Sequence, residues 1–78
     1  MTIHEIKDDL QNHVGKKVTI NCNMGRNKYE EYHVIVKELY DYIFLVEDTK
    51  AQSVKSFSYS DIITETIKID YRDKNIDK

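Results

Sequence analysis

The chain has 78 residues, a formal net charge of −2 and a single cysteine. It therefore fits one domain, excludes an internal disulfide and lacks the basic excess of a dedicated DNA-binding protein. Since a lone cysteine suits a reducing compartment, and neither an apolar stretch of ~18 residues nor a secretory signal is recognisable, we expect a cytoplasmic protein.

The first residues follow a helical pattern. Thr2 and Glu5 have the spacing of a capping box, in which each side chain accepts a hydrogen bond from the backbone of the other residue. Gly15 can adopt a positive φ angle and is expected to end the helix. The pattern predicts a helix over about residues 2–14 that packs on the rest of the domain. Its apolar stripe consists of Ile3, Ile6, Leu10 and Val14.

Alternating apolar and polar residues after the helix predict five strands. In the first strand Val18, Ile20 and Cys22 share one face, so we expect Cys22 to be a buried core thiol. Residues 23–27 are expected to form a turn. Glu65 interrupts the apolar series of the last strand, which indicates either a barrel rim or a β-bulge. The strands are predicted at about residues 17–23, 28–39, 42–47, 54–59 and 63–69.

One helix and five short strands predict a mainly β fold. A small five-stranded barrel, SH3-like or Sm-like, with the N-terminal helix across one open end would pair the strand edges and cover the helix stripe. We expect this single domain over residues 1–71 and a flexible polar tail over residues 72–78. Edge strands that remained open would also allow a homodimer.

The segment at residues 58–64, S-Y-S-D-I-I-T, raises the question of a catalytic site. A serine nucleophile needs a positioned base, and the histidines at positions 4, 13 and 33 are all distant in sequence. Ser and Asp side chains more simply bond nearby backbone groups and stabilise a turn before the last strand. No spacing typical of metal ligands is present either, so we expect no catalytic residue, metal or cofactor.

Two surface segments have unbalanced charge and are the candidate contact sites. Residues 15–28 carry four basic residues and no acid, and basic groups beside a tyrosine can bind nucleic acid or another anion. Residues 37–48 carry four acids and one lysine, which suits a basic protein partner. The candidate nucleic-acid or anion contacts are Lys16, Lys17, Arg26, Lys28 and Tyr29. The candidate protein-partner contacts are Tyr40, Asp41, Tyr42, Glu47 and Asp48.

Three stretches resemble the Veg family, small cytoplasmic proteins of Gram-positive bacteria. They read V-G-K-K-V-T at residues 14–19, N-M-G-R-N-K at residues 23–28 and S-Y-S-D-I-I-T-E-T at residues 58–66. Tyr40 and Phe44 also fit the family pattern, and the resemblance extends over about residues 5–71. It implies an SH3-like barrel and a non-enzymatic role in transcription, linked to biofilm formation through relief of a repressor of matrix genes.

The leading functional hypothesis is therefore a regulatory module that binds a protein, expected to be a transcription regulator. The alternative is an Sm-like module that binds nucleic acid through its basic segment, residues 16–28. No membrane partner is expected.

Overall fold

The structure, a computed structural model, describes residues 2–71. The predicted tail at residues 72–78 lies outside the described residues. In chain order the elements are α1 (Ile3–Gln11), β1 (Lys17–Gly25), β2 (Lys28–Leu39), β3 (Ile43–Asp48), β4 (Ser53–Ser58), α2 (Tyr59–Ile63) and β5 (Ile67–Asp70).

The five strands form one antiparallel sheet in the order β4-β3-β2-β1-β5. A mainly β fold with five strands is thus confirmed, but the predicted SH3-like or Sm-like barrel is not, because β4 and β5 do not pair and the sheet stays open. The physical reason lies in the connection between these two strands. Part of it forms α2, which packs against the core, and only four residues remain for β5.

Side chains alternate between two faces of the sheet, and within residues 2–71 the two helices pack on one of them. We call the face that packs against α1 and α2 the inner face, and the opposite one the outer face. The core between the inner face and the helices is a single cluster of buried side chains. Its members are Ile6, Leu10, Val18, Ile20, Cys22, Val34, Val36, Phe44, Val46, Tyr59 and Ile67.

Helix α1 begins as predicted and ends earlier. The Thr2 hydroxyl accepts a hydrogen bond from the Glu5 amide at 3.2 Å, and the Glu5 carboxylate accepts one from the Thr2 amide at 2.9 Å. The helix ends at Gln11, because the chain then turns to join the sheet. Gly15 has a φ of 85° and donates its amide to the Val36 carbonyl at 2.8 Å. Gly15 therefore serves the turn into β1 and does not end the helix.

The segment at residues 58–66 is a short helix and a turn, where we expected a turn and a strand. The Ser58 hydroxyl accepts from the Ser60 amide at 3.0 Å and caps α2, so local side-chain bonding is present but holds a helix. Thr64 caps the other end. Glu65 has a φ of 64° in the turn before β5. Its place is therefore neither a barrel rim nor a β-bulge.

The first hairpin is tighter than the five-residue turn that the sequence suggested. Strand β1 continues to Gly25, whose φ is 117°, and only Arg26 and Asn27 connect it to β2. A register shift between Asn23 and Gly25 marks a local bulge, in which the Asn23 side chain accepts a hydrogen bond from the Gly25 amide at 2.9 Å.

Replacing Tyr59 with phenylalanine tests the bond that ties α2 to the β2–β3 turn. The buried hydroxyl of Tyr59 donates to the Tyr40 carbonyl at 2.7 Å. We expect Tyr59→Phe to lower the free energy of unfolding by about 1 kcal/mol in urea titrations. The control, Tyr42→Phe at an exposed tyrosine, should change it by less than about 0.5 kcal/mol. Equal effects of the two substitutions would contradict this reading.

Tyr71 predicts a loss of stability at high pH. Burial, and secondarily the charge of Asp9, raise the pKa of Tyr71 from 10.0 to about 12. Because the raised pKa favours the neutral phenol in the folded state, its contribution is complete below pH 10 and disappears as the pH rises through about 12. Tyr71→Phe should therefore lose less stability than the wild type over that pH range in urea titrations. Parallel pH profiles of the two proteins would contradict it.

Candidate functional site

The structure divides the candidate nucleic-acid contacts between two ends of the sheet. Lys16 and Lys17 lie at the start of β1, whereas Arg26 and Lys28 flank the hairpin tip at its far end. Nine residue steps at ~3.3 Å each place these two pairs about 30 Å apart. Only Arg26, Lys28 and the exposed Tyr29 remain close together. The basic segment that appears continuous in the sequence is therefore not one surface.

A polar groove beside Tyr29 contains residues that the sequence analysis did not single out. Strand register places Lys68 of β5 directly opposite Asn21 of β1, and the turn before β5 closes the groove. Lys68 gives the groove one positive charge and Glu65 gives it one negative charge, so the groove has no excess of positive charge. Only the pairing of β5 with β1 brings these residues together, and one-dimensional patterns do not contain that pairing. The groove is lined by Asn21, Asn23, Tyr29, Thr64, Glu65, Thr66 and Lys68.

The candidate protein contacts lie at the two ends of β3. Tyr40, Asp41 and Tyr42 form the turn before this strand, and Glu47 and Asp48 are its last residues. Alternation directs Glu47 to the outer side of the sheet and Asp48 to the other side. The two groups are separated by the strand's own outward side chains, which the sequence analysis did not include.

Asp48 has a structural role. Its side chain is only 7% exposed, and one carboxylate oxygen accepts hydrogen bonds from the amides of Lys50 at 3.0 Å and Ala51 at 3.2 Å. This carboxylate fixes the loop between β3 and β4. Glu47 differs, because it alternates to the outer face and its carboxylate lies 3.3 Å from the ammonium of Lys37.

Four apolar side chains on the outer face form what we call the outer patch: Ile35, Ile43, Leu45 and Val54. They alternate with buried residues of β2 and β3 and with partly buried residues of β4, which directs them away from the core. One cross-strand row joins Ile35, Glu47 and Val54, and the next joins Glu38 and Leu45. Val54 is 63% exposed and Ile43 is 41% exposed.

Carboxylates outnumber cations around the outer patch. A register shift between Val36 and Glu38 turns Glu38 to the outer face, opposite Leu45. Glu38 and Glu47 thus border the patch, and Asp41 belongs to the turn that precedes Ile43, against the ammonium groups of Lys37 and of Lys17, which register places opposite Ile35. An acidic rim around apolar side chains suits a partner with a basic rim.

The turn at one end of the outer patch is held in place from both sides. The Tyr40 hydroxyl donates to the Glu38 carboxylate, and this bond raises the pKa of Tyr40. The Tyr40 carbonyl accepts the hydrogen bond from buried Tyr59. Because its backbone is anchored in the core, the turn presents Asp41 in a fixed position.

The histidines are engaged away from the serines of residues 58–60. His4 lies 3.6 Å from Asp8, and the His13 ring contacts the backbone of Asp9 and the ring of Tyr71. His33 contacts Thr19 at 3.2 Å on the outer face. The serines thus have no histidine base among their recorded contacts within residues 2–71.

Two further observations concern cysteine and metal chemistry. Burial raises the pKa of the Cys22 thiol, which disfavours the reactive thiolate. Within the described part of the chain, no group of three or more His, Cys, Asp or Glu side chains is placed to hold a metal ion. None of the helices in that part is long and apolar enough to cross a membrane.

Comparison with known proteins yields one family. The family model described as "Biofilm formation stimulator VEG" matches residues 1–70. No curated protein matches the chain in a sequence search.

Alanine substitutions of Asp48 and of Glu47 should differ in their effect on the stability of the protein. Asp48→Ala removes the acceptor for two loop amides, so we expect the free energy of unfolding to fall by about 1–2 kcal/mol. Glu47→Ala removes a half-exposed ion pair and should cost less than about 1 kcal/mol. Urea titrations of both variants measure the difference. A larger cost for Glu47→Ala would contradict these roles.

Proposed function

The chain belongs to the Veg family, and on that premise we propose that it is a non-enzymatic regulatory protein that promotes biofilm formation by binding a regulator of transcription. Family membership supports the link to biofilm formation. The mode of action, binding to a basic protein partner, is our inference from the surface of the sheet.

The outer patch is the observation that carries the proposal. The solvated face of an antiparallel sheet normally carries polar residues at its outward positions. Here Ile43 and Val54 are exposed at such positions, and the partly buried Ile35 and Leu45 lie beside them. Contiguous exposed apolar side chains with a polar border are typical of protein-binding surfaces. We therefore assign the contact surface to β2, β3 and β4.

The acidic rim indicates the chemistry of the partner. Glu38 and Glu47 border the outer patch and Asp41 lies in the adjoining turn, whereas Lys17 and Lys37 offset them in part. DNA-binding regulators carry basic surfaces, so an acidic, partly apolar surface can bind such a regulator and compete with its DNA. This would connect the small protein to transcription of matrix genes. Of the residues first selected, Tyr40, Asp41, Tyr42 and Glu47 remain candidates, whereas Asp48 serves the loop.

Direct nucleic-acid binding is the competing hypothesis, and the experiment below distinguishes it from protein binding. It would use the hairpin tip, where Arg26 and Lys28 flank the turn and Tyr29 is exposed. The separation of Lys16 and Lys17 from this tip reduces the number of phosphates that one strand of nucleic acid could meet at the same surface.

The proposal can be tested by capturing partners with a tagged chain and two outer-patch variants. Asp41→Lys reverses one rim charge, and Ile43→Lys places a charge among the apolar side chains. We expect both to reduce recovery of a DNA-binding regulator at least about tenfold, in lysate with and without nuclease, since a desolvated like charge costs several kcal/mol. Titration of the purified regulator then measures each dissociation constant.

Matched controls are available elsewhere in the chain. Ile63→Lys changes the same residue type at nearly the same exposure, 43% against 41% for Ile43, but on α2. Asp8→Lys reverses an exposed acid on α1. Both controls should bind as the wild type does. Equal binding by all four variants would overturn the assignment. Recovery of nucleic acid, with proteins lost after nuclease treatment and binding abolished by Arg26→Ala with Lys28→Ala, would favour direct nucleic-acid binding.

A further inference from the structure

Strand β4 is an edge of the sheet with none of the usual obstacles to pairing by a further strand. In the part of the chain that the structure describes, it pairs only with β3, in a continuous register without a bulge. Its sequence, S-V-K-S-F-S, contains no proline and one charge. Edge strands of soluble proteins are commonly protected by proline, bulges or several charges.

The hydrogen-bond phase of β4 identifies which backbone groups face outward. The Tyr59 amide donates to the Tyr42 carbonyl at 3.2 Å, one step beyond the Ile43–Ser58 pair. Hydrogen-bonded and non-bonded pairs alternate in an antiparallel ladder. The backbones of Ser53, Lys55 and Phe57 therefore bond to β3. The amides and carbonyls that face away from β3 belong to Val54, Ser56 and Ser58, but the Ser58 carbonyl is occupied, because as the N-cap of α2 it accepts the first hydrogen bond of that helix.

We propose that β4 pairs antiparallel with β4 of a second copy of the chain, about a two-fold axis at Ser56. This register places Ser56 opposite Ser56 of the second copy and Val54 opposite Ser58, so all three outward residues meet outward residues. The Ser56 pair can exchange two backbone hydrogen bonds, and each Val54–Ser58 pair can form one, from the Ser58 amide to the Val54 carbonyl. Because the same strand is used by both copies, the assembly closes as a dimer.

Neighbouring registers fit less well. An axis at Lys55 would put the two Lys55 side chains directly opposite each other, and like charges in that position are destabilising. It would also leave Ser58 without an outward partner. An axis at Phe57 leaves Val54 without one. With the axis at Ser56, Lys55 lies opposite Phe57 of the second copy, and its ammonium already rests 5.1 Å from the Tyr32 ring centroid. The single charge of the strand thus selects one register.

Strand β5, at the other edge of the sheet, offers fewer outward backbone groups for pairing. The Asn23 amide bonds the Thr66 carbonyl at 2.8 Å, which by the same alternation directs Thr66 and Lys68 towards β1. In the four residues of β5, only Ile67 and Ile69 then face outward. Pairing of β4 with β5 of another copy would be head to tail and would not close after two copies. A dimer that closes after two copies therefore pairs β4 of one copy with β4 of the other.

The dimer does not depend on the proposed function, but it would change the geometry of the proposed surface. A two-fold axis perpendicular to the sheet keeps the outer faces of both copies on the same side. Two outer patches would then lie on one continuous ten-stranded sheet, with Val54 of each near the axis. Such a surface is suited to a partner that is itself two-fold symmetric.

Proline at position 56 tests the proposal, because it removes an outward amide while leaving every β3–β4 bond in place. We expect the wild type to dimerise with rising concentration in sedimentation experiments, and Ser56→Pro to raise the dissociation constant at least about tenfold. Ser56→Ala keeps the amide and should dimerise as the wild type does. A wild type that stays monomeric at millimolar concentration, or a Ser56→Pro dimer of unchanged affinity, would overturn the proposal.

Cysteine cross-linking gives a second test that does not depend on how well the proline variant folds. In the proposed register the two α-carbons at position 56 lie ~5.5 Å apart, within reach of a disulfide. Those at position 54 are offset by four residues, or ~13 Å, and are out of reach. Mild oxidation should therefore cross-link Ser56→Cys but not Val54→Cys, since native Cys22 is buried. Equal cross-linking of the two variants would refute this register.

Discussion

The two helices are too short to cover more than one face of a five-stranded sheet. Helix α1 has nine residues and α2 has five, and both pack on the inner face around Ile6, Leu10 and Tyr59. The outer face and the β4 edge are consequently left to solvent within residues 2–71. Closing the sheet into a barrel would have removed the free β4 edge, because a barrel has no edges. The open sheet thus leaves the outer face and the β4 edge, on which the two proposals rest.

Tyr59 connects the core to those surfaces. Its ring lies 5.5 Å from that of Phe44, and the Lys7 ammonium is 5.9 Å from its centroid. Its hydroxyl holds the Tyr40 carbonyl, and its amide sets the phase of the β3–β4 ladder through Tyr42. Tyr59 thus holds the turn at residues 40–42 in place. Its amide also continues the hydrogen-bond alternation that leaves Val54, Ser56 and Ser58 facing away from β3.

Local patterns in the sequence predicted much of the fold but not its closure. Period-two alternation located β1 to β4 closely, and the capping box fixed the start of α1. The segment at residues 58–66 misled because its apolar residues also fit a strand, and a five-residue helix is too short to reveal a helical period. The positive φ of Glu65 could not be predicted from its residue type, because positive φ angles are usual for glycine or asparagine. Closure depends on long-range pairing, which such patterns do not report.

The same division applies to the candidate surface. Charge counting found the acidic segment, but alternation gives Glu47 and Asp48 opposite directions, so one borders the outer patch and the other caps a loop. Strand β3 carries apolar residues on both faces, a pattern that is typical of a strand inside a sheet. In the structure β3 is internal, yet Ile43 is exposed, because no helix covers the outer face. An apolar residue in a strand thus indicates a contact surface only when the structure shows that it lies on the face without helices.

The two proposed surfaces belong to the same half of the sheet. The outer patch spans β2, β3 and β4, and the self-pairing edge is β4, whereas the basic hairpin tip lies where β1 meets β2. Pairing through β4 would double the outer patch without covering it, because added strands extend a sheet in its own plane. Two linked copies of a weak site bind a two-fold partner far more tightly than one, since the second contact is intramolecular. A chain of 78 residues could in this way engage a dimeric regulator although each patch is small.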